Sequence, residues 1–125
     1  MNARTKLMSF GAYSQALELF DRVVADLAFL SRHRECSQLA AQQLASADSI
    51  ASNIEEGYGR GSKKEYGQFL VISRGSAQET AGRYLRLRHW LPAGLPETRL
   101  ALCDEIIGIL TASILKLRSQ LASTK

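Results

Sequence analysis

Apolar side chains recur along this chain at three- and four-residue intervals, and nowhere alternate over a length that would predict a strand. Four helical segments follow. The first is predicted over about 13–33, with Leu17, Phe20, Val24 and Leu27 on one face and Val23 and Leu30 widening it. Arg32, His33 and Arg34 then supply cations where the helix dipole favours them, at a C-terminus. The second, over about 37–56, has a thin stripe of Leu39, Leu44, Ala47, Ile50 and Ile54 interleaved with Ala40, Ala41, Ala45 and Ala51. Side chains that small let a neighbouring helix approach closely, which predicts a central, tightly packed element. The third, over about 62–91, carries Tyr66, Phe69, Ser73, Ser76, Thr80, Tyr84, Leu87 and Leu91 at core spacing. The fourth, over about 97–122, has Leu100, Cys103, Ile107, Leu110, Ile114, Leu117 and Leu121 in unbroken steps of three and four.

The breaks between these segments are as informative as the segments. Gly57, Gly59 and Gly61 are expected to end the second helix, because glycine takes the left-handed conformation of a helix stop. Ser62-Lys63-Lys64-Glu65 reads as a capping box that starts the third. Pro92, Gly94 and Pro96 end it. Helices joined by short connections predict an all-α fold, a single domain spanning 1–125 as an antiparallel up-down-up-down four-helix bundle. The first ten residues and the last few are expected to fray.

Composition narrows the class. With 125 residues the chain is long enough to bury a core without a metal or disulfide staple, and two prolines suit long helices. Cys36 and Cys103 are too few and too far apart for a disulfide framework and read as reduced, buried thiols. The opening MNARTKLMSFG has positive charge but no apolar run of signal-peptide type, and no segment reaches membrane-spanning length. These features predict a soluble cytoplasmic protein. The net charge is +4, yet Arg60 to Trp90 alone holds seven basic residues against two acidic ones, so attraction to an acidic partner should centre on the third helix.

Three constellations carry the candidate chemistry. Ser49, Asn53, Glu56, Ser76 and Glu79 are expected to form a buried polar network between the second and third helices, with the carboxylates held by Arg60, Arg74 or turn amides. Taken as chemistry the two acids would be an acid–base pair, but no metal-ligating histidine or nucleophile–base pair accompanies them, so no catalytic residue is assigned. His33 and His89 stand apart from each other and from the cysteines, and neither a metal nor a cofactor is expected. The loop Gly57 to Lys64 resembles an anion nest before a helix N-terminus but lacks the Gly-Lys-Ser/Thr of a Walker loop, and reads first as a capped turn. A second face of the third helix, Gly67, Val71, Arg74, Gln78, Ala81 and Leu85, mixes small, apolar and cationic residues as subunit contacts do, and is assigned to self-association. Tyr84 and Trp90 read as core aromatics, although Arg83, Arg86 and Arg88 interleave with them in the manner of a nucleic-acid binder.

Leu39 and Gln42, Ser49-Ile50, Asn53-Ile54, Glu56-Gly57, Gly59-Arg60, Ser62 to Glu65, Phe69-Leu70 and the Arg74-Gly75-Ser76-x-x-Glu79 run together resemble the S23 family. Its members are four-helix-bundle proteins encoded by intervening sequences in bacterial 23S ribosomal RNA genes. The likeness is sharp over residues 39–79 and colinear from 13 to 121. It departs at Leu44 and Ala45, where paired arginines are usual, and at Ala51 and Glu55, where proline and alanine are usual; the missing arginines weaken RNA binding by the second helix. The resemblance implies a left-handed bundle assembled in rings of five. It also implies an RNA association inferred from gene context, and a likeness to accessory proteins of retroelement reverse transcriptases, in which a basic five-fold barrel contacts RNA and polymerase.

The reading that follows is a non-enzymatic homo-oligomer, expected to be a pentamer. In it Arg60, Lys63, Lys64, Arg74, Arg86 and Arg88 contact RNA phosphates without reading sequence. The alternative is a structural protein-interaction module, for example accessory to a polymerase or ribosomal component, with no direct nucleic-acid binding.

Overall fold

A computed structural model describes residues 2–123, and among them all regular structure is helical. Helix α1 is Ala3–Met8, α2 Gly11–Leu30, α3 Ser37–Tyr58, α4 Lys63–Leu87 and α5 Leu95–Ser123; single 3-10 turns at Arg34–Cys36 and Arg88–Trp90 finish the connections. The four long helices lie within a few residues of their predicted spans. Helix α1 corrects the expectation of a frayed start. The Asn2 side chain accepts from the Thr5 amide at 2.9 Å, capping the turn, and Leu7 buries itself in the core. The expected fraying of the last few residues falls partly on 124 and 125, outside the described residues; α5 itself continues to Ser123.

Helix α3 packs on α2 and α4, and α5 on α4 and α2. Along each of these seams the contacts run in opposite order. Tyr13 meets Glu55 between α2 and α3, while Ser73 meets Ile50 and Thr80 meets Gln43 between α3 and α4. Gly67 lies beside Leu117 and Arg74 beside Thr111 between α4 and α5, and Gly11 faces Ile109 while Asp26 meets Arg99 between α2 and α5. The core between them is Leu19, Val23, Leu30, Ile50, Ile54, Leu70, Tyr84, Leu87, Ile106, Leu110 and Ile114, all essentially sealed from solvent. In α2 the buried stripe is Ala12, Ala16, Leu19, Val23, Asp26 and Leu30, one position round from the predicted one, and Val24 is 46% exposed. Alanines and an acid occupy that stripe, so counting large apolar residues alone shifts its phase.

The three glycines of the α3–α4 turn do three different things. Gly57 does not stop the helix; it is buried one residue before the end of α3, where an added Cβ would lie 2.7 Å from Phe69 Cβ and 3.3 Å from the Tyr66 carbonyl oxygen. Gly59 ends α3 in ordinary helical conformation, its amide donating to the Glu55 carbonyl at 3.1 Å. Only Gly61, at φ +80°, takes the left-handed conformation. Ser62 then caps α4 by accepting from the Glu65 amide at 3.1 Å. Pro96 sits in the first turn of α5, where a missing amide hydrogen costs nothing, so that helix starts earlier than predicted.

This geometry makes opposite predictions for two glycines of helical backbone. Gly75 lies in mid-helix with no atom within 4 Å of an added Cβ, so Gly75→Ala should stabilise the chain by about 0.5–1 kcal/mol through backbone entropy. Gly57→Ala should destabilise it by about 1–3 kcal/mol, because the clash falls on backbone and on a Cβ that cannot rotate away. Urea denaturation of the two variants, compared at constant m, reads both signs.

Candidate functional site

The seam between α3 and α4 is built from polar groups in phase with the core: Gln43, Ser46 and the Ile50 carbonyl on one side, Ser73, Ser76, Thr80 and Arg83 on the other. The Gln43 amide nitrogen donates to the Thr80 carbonyl at 2.9 Å, and the Ser73 hydroxyl to the Ile50 carbonyl at 2.8 Å. The Thr80 hydroxyl donates to the Ser76 carbonyl at 2.8 Å. The Ser46 and Thr80 hydroxyls are 2.8 Å apart, and the Ser46 hydroxyl also lies 3.3 Å from the Gln43 carbonyl. Ser46 in turn accepts from Arg83 Nη1 at 2.8 Å, and the same nitrogen donates to Gln43 Oε1 at 2.9 Å. The result is a continuous network from the guanidinium through Ser46 and Thr80 to the Ser76 carbonyl, in which neighbouring hydrogen bonds polarise one another.

Ser49, Asn53 and Ser76 extend the seam toward the surface. The Ser49 and Ser76 hydroxyls are 2.8 Å apart, and Asn53 Nδ2 donates to the Ser49 carbonyl and hydroxyl at 2.8 and 2.9 Å. The two acids expected with them are elsewhere, which corrects the predicted network. Glu56 is exposed and pairs with Arg60 at 2.7 Å across one helical turn; Glu79 is exposed on the rim of the seam. Around Ser49, Asn53 and Ser76 neutral groups satisfy one another, and Arg83 deeper in the seam donates to Gln43 and Ser46 rather than to either acid. Arg60 and Arg74 correspondingly do not reach inward. Arg60 lies between Glu56 and Glu65, its guanidinium 5.3 Å from the Phe69 ring centre, and Arg74 donates to Thr111 of α5 at 3.3 Å.

Arg83, which interleaves in sequence with Tyr84 and the exposed Arg86 and Arg88, is itself buried. It is 8% exposed, and burial pushes its pKa down, with Arg86 adding to that and Glu79 opposing it. The spacing Ser73, Ser76, Thr80, Arg83 continues the buried stripe in steps of three, four and three, which is the signal that locates it. Beside Arg83 the seam opens into a shallow cleft of about 510 Å³, walled by Gln42, Ala45, Ser46 and Ser49 from α3 and by Ser76 and Glu79 from α4.

A second polar device fastens the other side of α4. Asp26, 1% exposed, accepts the Tyr84 hydroxyl at 2.7 Å and takes a two-pronged contact from Arg99, at 3.0 Å from Nε and 2.7 Å from Nη2. Burial, followed by the Asp26 contact, pushes the Tyr84 hydroxyl pKa far up, and the carboxylate raises that of Arg99. Asp26 falls in the stripe Leu19, Val23, Asp26, Leu30, and an acid at core spacing is how sequence alone could have marked it. Glu55, one of the departures noted above, accepts the Tyr13 hydroxyl at 2.7 Å, and that contact holds the Tyr13 pKa up at about 12.

The assigned basic residues do not converge. Arg60, Lys63 and Lys64 lie at the glycine turn, and Arg86 and Arg88 at the far end of α4, roughly 36 Å away at 1.5 Å per residue. Arg86 and Arg88 donate to the carbonyls of Gly82 and Leu85 on their own helix. Near the far end Trp90 Nε1 donates to Glu35 at 3.1 Å, which draws Arg88 and His89 toward the connection that carries Arg32 and Arg34. Trp90 is therefore at the rim, while Tyr84 is fully in the core. The face assigned to self-association is likewise divided. Gly67 and Arg74 lie against α5 of the same chain, Val71 and Ala81 are partly covered by the core, and Gln78 and Leu85 are exposed. Helix α4 has two packed neighbours, so its second mixed face is largely an internal seam.

Cys36 and Cys103 are free and buried; burial raises both thiol pKa values, that of Cys103 to about 12. His33 lies 3.7 Å from Glu35 and His89 stacks edge-on against Trp90. Among the described residues no three metal-ligating side chains gather, and no helix is long and apolar enough to cross a membrane.

These observations define an all-α protein whose long helices are registered by buried polar side chains. A family model described as 23S rRNA-intervening sequence protein matches residues 9–112, and the chain belongs to that family. No curated protein matches the chain.

Removing one member of the Asp26 cluster tests its weight. Asp26→Asn leaves Arg99 without its counter-charge and should cost about 3 kcal/mol, whereas Tyr84→Phe, which deletes one hydrogen bond to a charged group, should cost about 2 kcal/mol. Chemical denaturation of both single variants and of the pair should show the two losses to be strongly non-additive.

Proposed function

We propose that the four long helices form an up-down-up-down four-helix bundle that works as a non-enzymatic, oligomeric scaffold for RNA, holding phosphates without reading bases. The observation that carries the reading is that the exposed basic residues between Arg60 and Trp90, namely Arg60, Lys63, Lys64, Arg86 and Arg88, lie at the two ends of α4. Lys63 and Lys64 are exposed and have no carboxylate within ion-pairing distance among the described residues, and Arg32, Arg34, Arg86 and Arg88 are exposed at the opposite end. Membership of a family named for an intervening sequence in 23S rRNA supports the same direction. Self-association is supported by large apolar side chains left open on α4 and α5: Ile72 and Leu85 are each 52% exposed and Leu115 59%. Of the face first assigned to self-association, Gln78 and Leu85 remain open to sister copies. Five copies of a +4 chain would carry +20, enough to attract a polyanion at ordinary salt.

Fluorescence anisotropy with a structured RNA, repeated across salt concentrations, tests the binding. The affinity should fall steeply with salt, and Lys63→Ala with Lys64→Ala should flatten the log–log slope by about 2 per participating subunit without changing preference among sequences. No measurable binding at low salt would remove the RNA reading and leave the protein-interaction alternative, for which pull-down after nuclease treatment is the direct assay. Light scattering checks the assembly: about 69 kDa is expected for five copies of the 13.8 kDa chain.

A further inference from the structure

Arg83 is a buried cation without an anion. Among the described residues no carboxylate lies within 4 Å of it, and its internal acceptors, Gln43 Oε1, Ser46 Oγ and the Gln42 carbonyl, are all neutral and all approached by Nη1. Of the five N–H donors of a guanidinium, that leaves Nε and both hydrogens of Nη2. Nε is completely shielded and has no partner, whereas Nη2 also lacks a protein acceptor but is not sealed off, and Arg83 lines the cleft. A charge held this way keeps its desolvation cost with little compensation, and a hydrogen-bonding anion in the cleft would offset it.

We propose that this cleft is an oxyanion site that takes a phosphate group, with Arg83 Nη2 as its charged donor. Two features favour phosphate over a planar carboxylate. The side-on fork that grips a carboxylate needs Nε and Nη2 together, and Nε is occluded. The remaining donors come from other directions: the Ser49–Ser76 contact uses only one of its two hydroxyl protons, and the exposed Gln42 amide stands at the cleft's end. A tetrahedral anion with several acceptor oxygens can receive all of these donors together; a carboxylate plane receives only part of them, Nη2 first. Ala45 leaves the α3 wall open, and Glu79 on the opposite rim weakens the site by repulsion and favours a singly charged group. The site stands apart from Lys63 and Lys64 and does not depend on the RNA reading.

The Arg83 Nε–H resonance of the full chain, followed in ¹H–¹⁵N spectra, reports the site directly. Inorganic phosphate should shift it saturably in the millimolar range while chloride at matched ionic strength does not. Glu79→Gln should tighten phosphate by about five-fold, the worth of one nearby like charge. Ala45→Glu, on the exposed face of α3, should supply an internal carboxylate, abolish the phosphate response and raise the unfolding midpoint. A parallel titration with a short oligouridylate identifies the source: a shift there that Ala45→Glu removes assigns the site to phosphodiesters, and its absence alongside a phosphate response assigns it to free phosphate. The proposal is overturned if phosphate shifts Arg83 no more than chloride does, or if Ala45→Glu responds as the unsubstituted chain.

Discussion

The close approach of α3 and α4 is the constraint on which the rest depends. Serine, alanine and threonine at the contact bring two backbones near enough for side chains of one helix to reach carbonyls of the other, as Gln43 reaches Thr80 and Ser73 reaches Ile50. Gly57 sets the separation at one end, where even a methyl group would collide with Phe69. Polar groups so buried contribute modestly when paired, but cost about 1–3 kcal/mol each when left unpaired. Sliding α4 by a turn would break every one of these pairs at once, so the seam acts mainly on register.

Arg83 and Tyr84, adjacent in sequence, fasten α4 in two directions. Arg83 turns into the α3 seam, and Tyr84 turns toward Asp26 of α2, which is itself gripped by Arg99 of α5. Successive residues on a helix point about 100° apart, so the pair fixes the rotation of α4 as well as its height. The two devices differ in kind. The Asp26 cluster closes its charges internally, with carboxylate, guanidinium and phenol matched. The seam ends on a cation whose acceptors are all neutral, and that difference marks it as the side of the molecule with unused binding capacity.

Periodicity made the long helices legible because each buries a continuous stripe, and Ser62, Glu65 and the glycines fixed where α4 begins. What was misplaced shares one cause. Large apolar residues were taken to mark the core and charged residues the surface or a matched network, whereas the buried stripes here contain alanine, serine, an aspartate and an arginine. Asp26 and Arg83 sit at core spacing in plain view, but their burial depends on partners from helices distant in sequence, Arg99 and Gln43 among them. Glu56 and Glu79 were placed inside by the same logic reversed: an acid near a polar face was assumed to join it, although Arg60 and Arg74 are engaged elsewhere and Arg83 donates to neutral groups. The face of α4 assigned to sister copies was real as a packing face, but sequence cannot distinguish a neighbouring subunit from a neighbouring helix.

The separation of basic residues along α4 has a consequence for any polyanion bound by the proposed scaffold. At the glycine turn Arg60 is already paired with Glu56 and lies near Glu65, so one copy offers chiefly Lys63 and Lys64. Two lysines neutralise too few phosphates for firm binding at physiological salt, since affinity grows with the number of counterions released. At the far end Arg86 and Arg88 are engaged by their own helix, and join Arg32 and Arg34 across the connection. Lateral assembly of copies in one orientation would repeat each end around a ring and turn two weak clusters into two continuous cationic rims. On this view the affinity for RNA belongs to the assembly rather than to the single chain, and the charge pattern of α4 has its effect only when the open apolar side chains on α4 and α5 are covered by sister copies.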